Sequence, residues 1–450
     1  MTQRAPLAQE LTRAARAIEA LAAGRSLQLA LDRVLAEPDA AVPPASHAAI
    51  RDLAWRTCRE FGLVRELARL LNARPPAAAP AALQWVALAQ MVGRVRPDAV
   101  LVDETVQAAR TLPGGQALSG FLNATLRRFG RERELLLATA RRAPEARWNH
   151  PAWWITRLRE AWPQDWERIL AAGNAPAPLT LRVNRRRTTV DDWLGRLDAA
   201  GLAGRRVGAQ AVALDRAVPV HTLPGWSGGL LSVQDAGAQL AAPLLDPHDG
   251  ERILDACAAP GGKSTHLLEL ADVELVALDS DAARLGQVRE NLDRLGLKAH
   301  CLAGDAAQPE QWWDGRPFDR ILVDAPCTAS GILRRRPDAR WLRRRGDPAT
   351  LAQRQQAILQ ALWPTLRPGG TLLYVTCSVF PEEGEWVLAH FLDAYPDALR
   401  ESLWFDPGSG AVGADDGDGR RGEPLATLLP AAEAARDHDG FFFARLRKRS

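Results

Sequence analysis

The chain has 450 residues, of which 47% are hydrophobic and 25% charged, and its formal net charge is +3. That length asks for two or three domains, and that balance excludes disordered, collagenous and disulfide-dense chains. No apolar run approaches the roughly 20 residues a bilayer span requires, and the opening MTQRAPLAQELTRAAR has no apolar signal core. A cytoplasmic protein with no membrane partner is therefore expected.

Residues 1–140 read as an all-α bundle. Ile50, Leu53, Ala54, Thr57, Phe61, Val64, Ala68 and Leu71 recur at spacings of three and four, which puts them on one apolar face. Proline breaks follow at 74–80 and 96–97, and 112–115 closes another helix. The segment carries 18 arginines against 13 acids, a basic surface. Residues 141–235 read as a small α+β module: strands at 179–183, 211–214 and 230–233, and a helix at 190–200. Trp148, Trp153, Trp154, Trp162 and Trp166 cluster at its start; at helical spacing they fit a core better than a base-stacking platform.

From residue 236 to 450 strands and helices alternate. Strands are predicted at 252–255, 274–279, 299–302, 318–324 and 371–377, helices at 263–270, 281–295 and 350–366, and a last strand at 440–446. Regular alternation implies a parallel, doubly wound α/β sheet, with ligands outside the carboxyl ends of its strands. Residues 406–419 read as a flexible acidic insertion.

Polar groups recur at those strand ends. The first strand runs into Asp255-Ala-Cys-Ala-Ala-Pro-Gly-Gly-Lys263, where Gly261 and Gly262 permit a tight turn into a helix N-terminus. Lys263 is one of three lysines among 57 basic residues, so its position is informative. A P-loop would need a glycine where Cys257 stands. S-adenosylmethionine fits better: Asp279 ends the second strand, placed for ribose hydroxyls, Asp305 follows the third, placed for an adenine amine, and such acids suit a sulfonium cation and repel a triphosphate.

The fourth strand ends in Asp324-Ala-Pro-Cys327 and the fifth in Thr376-Cys377-Ser378, so two thiols and a carboxylate are expected at one mouth. The five cysteines form no C-x-x-C pair, and neither a metal nor a disulfide framework is expected. Carbon 5 of cytosine is a poor nucleophile until a thiolate adds at carbon 6, and Asp324 is the candidate for the proton at N3. Spacing alone leaves open which thiol attacks. Seven arginines follow, Arg334, Arg335, Arg336, Arg340, Arg343, Arg344 and Arg345. Beside such chemistry they are expected to bind RNA phosphates, with the target cytosine single-stranded or flipped.

Together the runs at 255–263, 324–327 and 376–378 resemble the RsmB/NOP family of S-adenosylmethionine-dependent RNA cytosine-C5 methyltransferases. The resemblance covers nearly the whole chain, with further matches in Ser232-Val-Gln-Asp-Ala236, the segment 334–342 and Asp439-Gly-Phe-Phe-Phe443. It implies a NusB-like helical RNA-binding domain over 1–140, matched by Phe121-Leu-Asn-Ala-Thr-Leu-Arg127. It implies an RRM-like linker module over 141–235 and a Rossmann-like methyltransferase domain over 236–450, acting on 16S ribosomal RNA. It implies cofactor contacts from Cys257, Ala258, Ala259, Pro260, Gly261, Gly262, Lys263, Asp279, Asp305 and Asp324. Carried over, Cys377 is the nucleophile and Cys327 assists product release. The departures are the 406–419 insertion and Ser264, where threonine is more usual. The rival reading, a non-catalytic NusB-like RNA-binding or antitermination factor, has no need of this complete set of strand-end residues.

Overall fold

The computed structural model describes residues 4–37, 42–414, 422–433 and 436–450. By contacts the chain divides into two compact units, one of 1–174 with 335–345 and one of 175–334 with 346–450. Among the described residues no helix is long and apolar enough to cross a membrane.

The first unit is helical. Its inner helix, Ala78–Val92, is apolar on nearly every side and is buried accordingly. Gln84, at its middle, is fully buried and is satisfied by Asn72 (2.8 and 3.0 Å) and Thr125 (3.2 Å). The periodic residues at 50–71 are all buried, on two successive helices, Pro44–Arg59 and Phe61–Leu71, rather than one. The helices Ala152–Ala161 and Trp166–Asn174 also belong to this unit. Trp154 is fully buried there, and Trp148 and Trp166 meet edge to face at 5.5 Å, as core aromatics do.

The second unit opens with a four-stranded antiparallel sheet, ordered β2–β3–β1–β4, from β1 (Thr180–Val183), β2 (Gly204–Arg206), β3 (Ala211–Leu214) and β4 (Leu231–Val233). The helix Val190–Ala199 accompanies it, capped by the Thr189 hydroxyl, which accepts from the Asp192 N–H at 3.1 Å.

Next come β5 (Arg252–Asp255), β6 (Glu274–Asp279), β7 (His300–Ala303), β8 (Phe318–Asp324), β9 (Leu366–Thr376) and β10 (Ala398–Glu401). Two small sheets follow, from β11 (Leu403–Asp406), β12 (Ala411–Ala414) and β13 (Glu423–Pro424), and from β15 (Ala431–Glu433) and β16 (Arg436–His438). Between them lies β14 (Thr427–Leu428), and the last strand is β17 (Phe441–Lys448). The main sheet runs β10–β17–β9–β8–β5–β6–β7, with β14 on β17; β5 to β9 are parallel, whereas β17 lies antiparallel to β9. The doubly wound reading thus holds for the five strands that carry the motifs, and the last strand closes the sheet in the opposite sense. Leu373 and Val375 face one apolar layer, Leu372 and Tyr374 the other, as a sheet buried on both faces requires.

The segment read as a flexible acidic insertion is, through residue 414, an ordered hairpin in which Phe405 pairs with Val412. Asp406 accepts from the Gly408 N–H (2.9 Å) and the Ser409 hydroxyl (2.5 Å), an Asx turn that local polarity alone had marked as loop. The rest of the insertion lies outside the described residues.

Candidate active site

Strand order reverses beside β5: β6 and β7 lie on one side and β8 and β9 on the other. The crevice at such a switch point is where open α/β sheets hold ligands, and the motifs sit there. Gly261 adopts φ +96°, and a Cβ on it would meet the Val288 backbone at 3.1 Å, so only glycine fits this turn into the helix Gly262–Leu270. Asp279 Oδ2 accepts from the Ala259 N–H (2.9 Å) and Oδ1 from the Asp281 N–H (3.0 Å), which locks the carboxylate at the end of β6. Asp305 accepts from Arg354 (2.5 Å) and from the Ala307 N–H (2.9 Å). The Arg354 hydrogen bond foremost holds its carboxyl below the usual range.

Lys263 does not stand apart as a phosphate ligand. Its ammonium pairs with Asp324 Oδ2 at 2.6 Å, largely out of solvent. Burial works against that charge, but Asp324 outweighs it and Lys263 stays above the ordinary lysine value. Asp255, at the end of β5, is deeper still. Burial pushes its carboxyl up to about 7, against the pull of the Ser264 hydroxyl, which donates to Oδ2 at 2.6 Å. The Cys257 N–H draws on the same carboxyl and also lowers it. A row of acids along the strand ends, Asp279, Asp305 and Asp324, fits a cationic nucleoside such as S-adenosylmethionine, and no phosphate cradle accompanies them among the described residues.

The two thiols meet. Asp324 is in register with Val375, two residues before Cys377, and Cys327 Sγ lies 3.2 Å from Cys377 Sγ, both half-buried and neither in a disulfide. Beneath them sits Glu383, fully buried. It accepts from the Thr328 N–H (2.8 Å) and the Thr328 hydroxyl on one loop, and from the Ser378 hydroxyl (2.6 Å) on the other. Gln355 Nε2 reaches Glu383 Oε1 at 3.4 Å and the Pro326 carbonyl at 2.9 Å. The sequence reading passed over Glu383 and Gln355; Pro381-Glu-Glu383 directly after the second thiol was the available signal.

A second missed residue comes from the small module. Arg182, on β1, is fully buried. It forms a bidentate pair with Glu269 (2.9 and 2.7 Å) and donates to the Gly262 carbonyl (2.6 Å) and Thr265 (3.0 Å). It thereby fixes the first turn of the helix that follows the glycines.

Two of the seven arginines read as RNA contacts are corrected. Arg334 is 1% exposed and donates to Asp439 (2.5 Å) and Asp437 (2.6 Å), with Asp235 at 3.5 Å. Arg340 is also 1% exposed, donates to the Asn149 (3.0 Å) and Gly173 (2.7 Å) carbonyls, and is drawn down to about 10 by burial. Neither is presented to a phosphate. The segment around Arg340 packs into the helical unit, where Trp341 meets Phe61 edge to face at 5.3 Å and Asp338 accepts from the Leu27 N–H at 3.3 Å. Arg336, Arg344 and Arg345 are exposed, and Arg335 and Arg343 are half-buried.

Fold and site together define a Rossmann-like methyltransferase domain joined to a ferredoxin-like module and a NusB-like helical domain. The family model for the 16S rRNA methyltransferase RsmB/F matches residues 242–447, that for the RsmF/B-like ferredoxin-like domain residues 150–221, and that for the NusB family residues 7–131. The ribosomal RNA small subunit methyltransferase B of Salmonella paratyphi B is 44% identical over 408 residues, which cover 86% of this chain and 89% of that protein. The protein of that name from Vibrio cholerae is 40% identical over 413 residues, covering 90% and 91%. Among solved structures, a methyltransferase homolog protein from Pyrococcus horikoshii is 30% identical with a TM-score of 0.55, covering 68% of this chain and 97% of that one. The crystal structure of PH0851 shares the fold over 100% of both chains, with a TM-score of 0.75 at 24% identity. The chain belongs to the RsmB/F family of 16S rRNA methyltransferases.

Proposed function

We propose that this protein transfers a methyl group from S-adenosylmethionine to carbon 5 of a cytosine in 16S ribosomal RNA, through a covalent bond between Cys377 and carbon 6. The observation that carries the reading is the pair of thiols 3.2 Å apart, beside a carboxylate, at the carboxyl ends of adjacent parallel strands. An amine-directed methyltransferase needs no thiol there; activating a ring carbon does.

The run 257–263 with Asp279, Asp305 and Asp324 holds the cofactor. Bound there, S-adenosylmethionine supplies the methyl group that carbon 5 takes up. Cys377, as thiolate, adds to carbon 6, and the electron pair of the 5,6 double bond becomes available at carbon 5. Asp324, steadied by Lys263, serves the proton at N3 as negative charge develops on the ring. After methylation the carbon 5 proton leaves to a base, the double bond re-forms and the Cys377 thiolate departs; Cys327 is placed to assist that release. We read residues 1–140 as an RNA-binding domain, 141–235 as the linking module and 236–450 as the catalytic domain, with Arg335, Arg336 and Arg343 to Arg345 on the RNA backbone.

The test is to map 5-methylcytosine in 16S ribosomal RNA from a strain lacking the protein, and to restore it with purified protein and labelled S-adenosylmethionine. Loss and recovery at one cytosine are expected. Label at a ring nitrogen or a ribose would overturn the reading.

A further inference from the structure

We propose that Arg182, on the small module, is a positioning residue for S-adenosylmethionine, holding the glycine turn of the catalytic domain in its binding shape. Cofactor affinity then depends on a residue outside the catalytic domain; this rests on the cofactor reading above. On β1, Leu181 and Val183 pack into the module's own core with Val190, Trp193 and Leu197 of its helix. Arg182, between them, takes the opposite face of the sheet, as alternation along a strand requires. It is fully buried there, and all five of its N–H donors are used. Nε and Nη2 donate to the two oxygens of Glu269 (2.9 and 2.7 Å), and Nη2 also to the Thr265 hydroxyl (3.0 Å). Nη1 donates to the Gly262 carbonyl (2.6 Å) and to Gln234 Oε1. Apart from Gln234, every acceptor lies on the helix Gly262–Leu270.

Gly261, at φ +96°, lets the chain turn into that helix. Glycine permits such a conformation without holding it, and fixing a glycine costs more backbone entropy than fixing any other residue. In this turn four successive carbonyls are fixed by side chains. Arg284 donates to the Ala259 carbonyl (2.7 Å) and Asn291 to that of Pro260 (3.0 Å), both from the helix Ala282–Leu295. The Thr265 hydroxyl donates to the Gly261 carbonyl (2.8 Å), and Arg182 donates both to that hydroxyl and to the Gly262 carbonyl. Arg284 is exposed and Asn291 half-buried, whereas Arg182 and Thr265 are buried, so the glycines themselves carry the anchor shielded from water. Glu269, with no exposed side chain, supplies the counter-charge that lets a guanidinium sit there. A turn held before the ligand arrives does not have to be ordered at the moment of binding, and affinity rises accordingly.

The experiment measures KM for S-adenosylmethionine and kcat of the full-length chain on 16S ribosomal RNA, beside the melting temperature. Arg182→Met combined with Glu269→Leu replaces the buried ion pair by apolar side chains of similar volume, an exchange that should leave the melting temperature near the parent's. KM should rise by about tenfold, near the lower end of what a hydrogen bond from a charged donor contributes. At saturating cofactor kcat should stay close to the parent's, because the thiol loops are untouched. A merely structural pair would do the opposite, lowering kcat through fewer active molecules at an unchanged KM. Thr265→Val keeps the ion pair and removes only the link to Gly261, and should raise KM by about threefold, the scale of a neutral hydrogen bond. An unchanged KM in the folded double variant overturns the proposal; should that variant fail to fold, an unchanged KM in Thr265→Val does so. Hydrogen exchange without ligand should quicken over residues 258–266 in the folded variants and not elsewhere, and unchanged protection there also overturns the proposal. That readout needs neither cofactor nor RNA. Failure of the cofactor reading is separate: it would appear as a parent chain that binds no S-adenosylmethionine in calorimetry.

Discussion

The sulfur of Cys327 stands 3.2 Å from the sulfur of Cys377, across the ends of two parallel strands. Loss of each should stop the reaction at a different point. Cys377→Ala is expected to abolish both methylation and any covalent RNA species while cofactor binding persists. Cys327→Ala should still form the bond and release it poorly, leaving an adduct visible in a denaturing gel with labelled ribosomal RNA. Adduct from Cys377→Ala and none from Cys327→Ala would reverse the assignment.

In the Lys263–Asp324 pair the ammonium is largely out of solvent and the carboxylate partly so, and removing one partner strands the other. Asp324→Asn and Lys263→Met should each destabilise the protein by about 1–3 kcal/mol, and the double variant by less than their sum. Denaturant titration of the four proteins gives the coupling. Asp324→Asn should also reduce methylation by at least about a hundredfold, the usual scale for a lost acid–base group. Additive stabilities would mean that the pair is not coupled.

Asp279 is held by two backbone N–H groups, so its orientation is set before any ligand arrives. Asp279→Ala should weaken S-adenosylmethionine binding by roughly 1.5–3 kcal/mol, the range for a charged acceptor. Calorimetry showing an unchanged Kd would remove Asp279 from the cofactor site.

Asp255 gives a pH signature with a definite sign. Its folded value of about 7 lies above that of an unfolded aspartate. The folded state therefore binds the extra proton between roughly pH 4 and 7, and stability falls as pH rises through that window. The penalty is absent at lower pH and fully present above 7. Asp255→Asn should remove this slope and be more stable to unfolding than the parent at pH 8, by up to a few kcal/mol on an order-of-magnitude scale, while the two converge near pH 4. Parallel curves at all pH values would show that Asp255 titrates normally.

The arginines separate by what they touch. Replacing Arg343, Arg344 and Arg345 should flatten the salt dependence of RNA binding, by up to about 0.7 slope units per lost single-strand phosphate contact. Arg334→Ala should instead destabilise the fold by about 3–5 kcal/mol, because it leaves buried carboxylates without a counter-charge. Filter binding across a salt series, paired with thermal melts, distinguishes the two groups. A normal melt for Arg334→Ala would contradict its buried role.

Much of this molecule could be read along the chain because the relevant forces act over a few residues. Alternation of β-branched and apolar runs with helical periods located β5, β6 and β8 to the residue. The acids and thiols could be placed because a strand end is a local feature. The short strands β10 to β16 could not be read, since their stability comes from partners across the sheet rather than from their own pattern. The same limit governs Arg334 and Arg340. In sequence they are two members of one basic run, and only folding brings Asp439, 105 residues away, to Arg334 and the Asn149 carbonyl, 191 away, to Arg340. Glu383 and Arg182 were invisible as site residues for that reason: each acts through hydrogen bonds to other elements. Residue order therefore decided which chemical groups stand at the mouth of the sheet. The tertiary structure alone decided that the two sulfurs touch and which arginines remain exposed to solvent, because electrostatic pairing depends on distance through space and not along the chain.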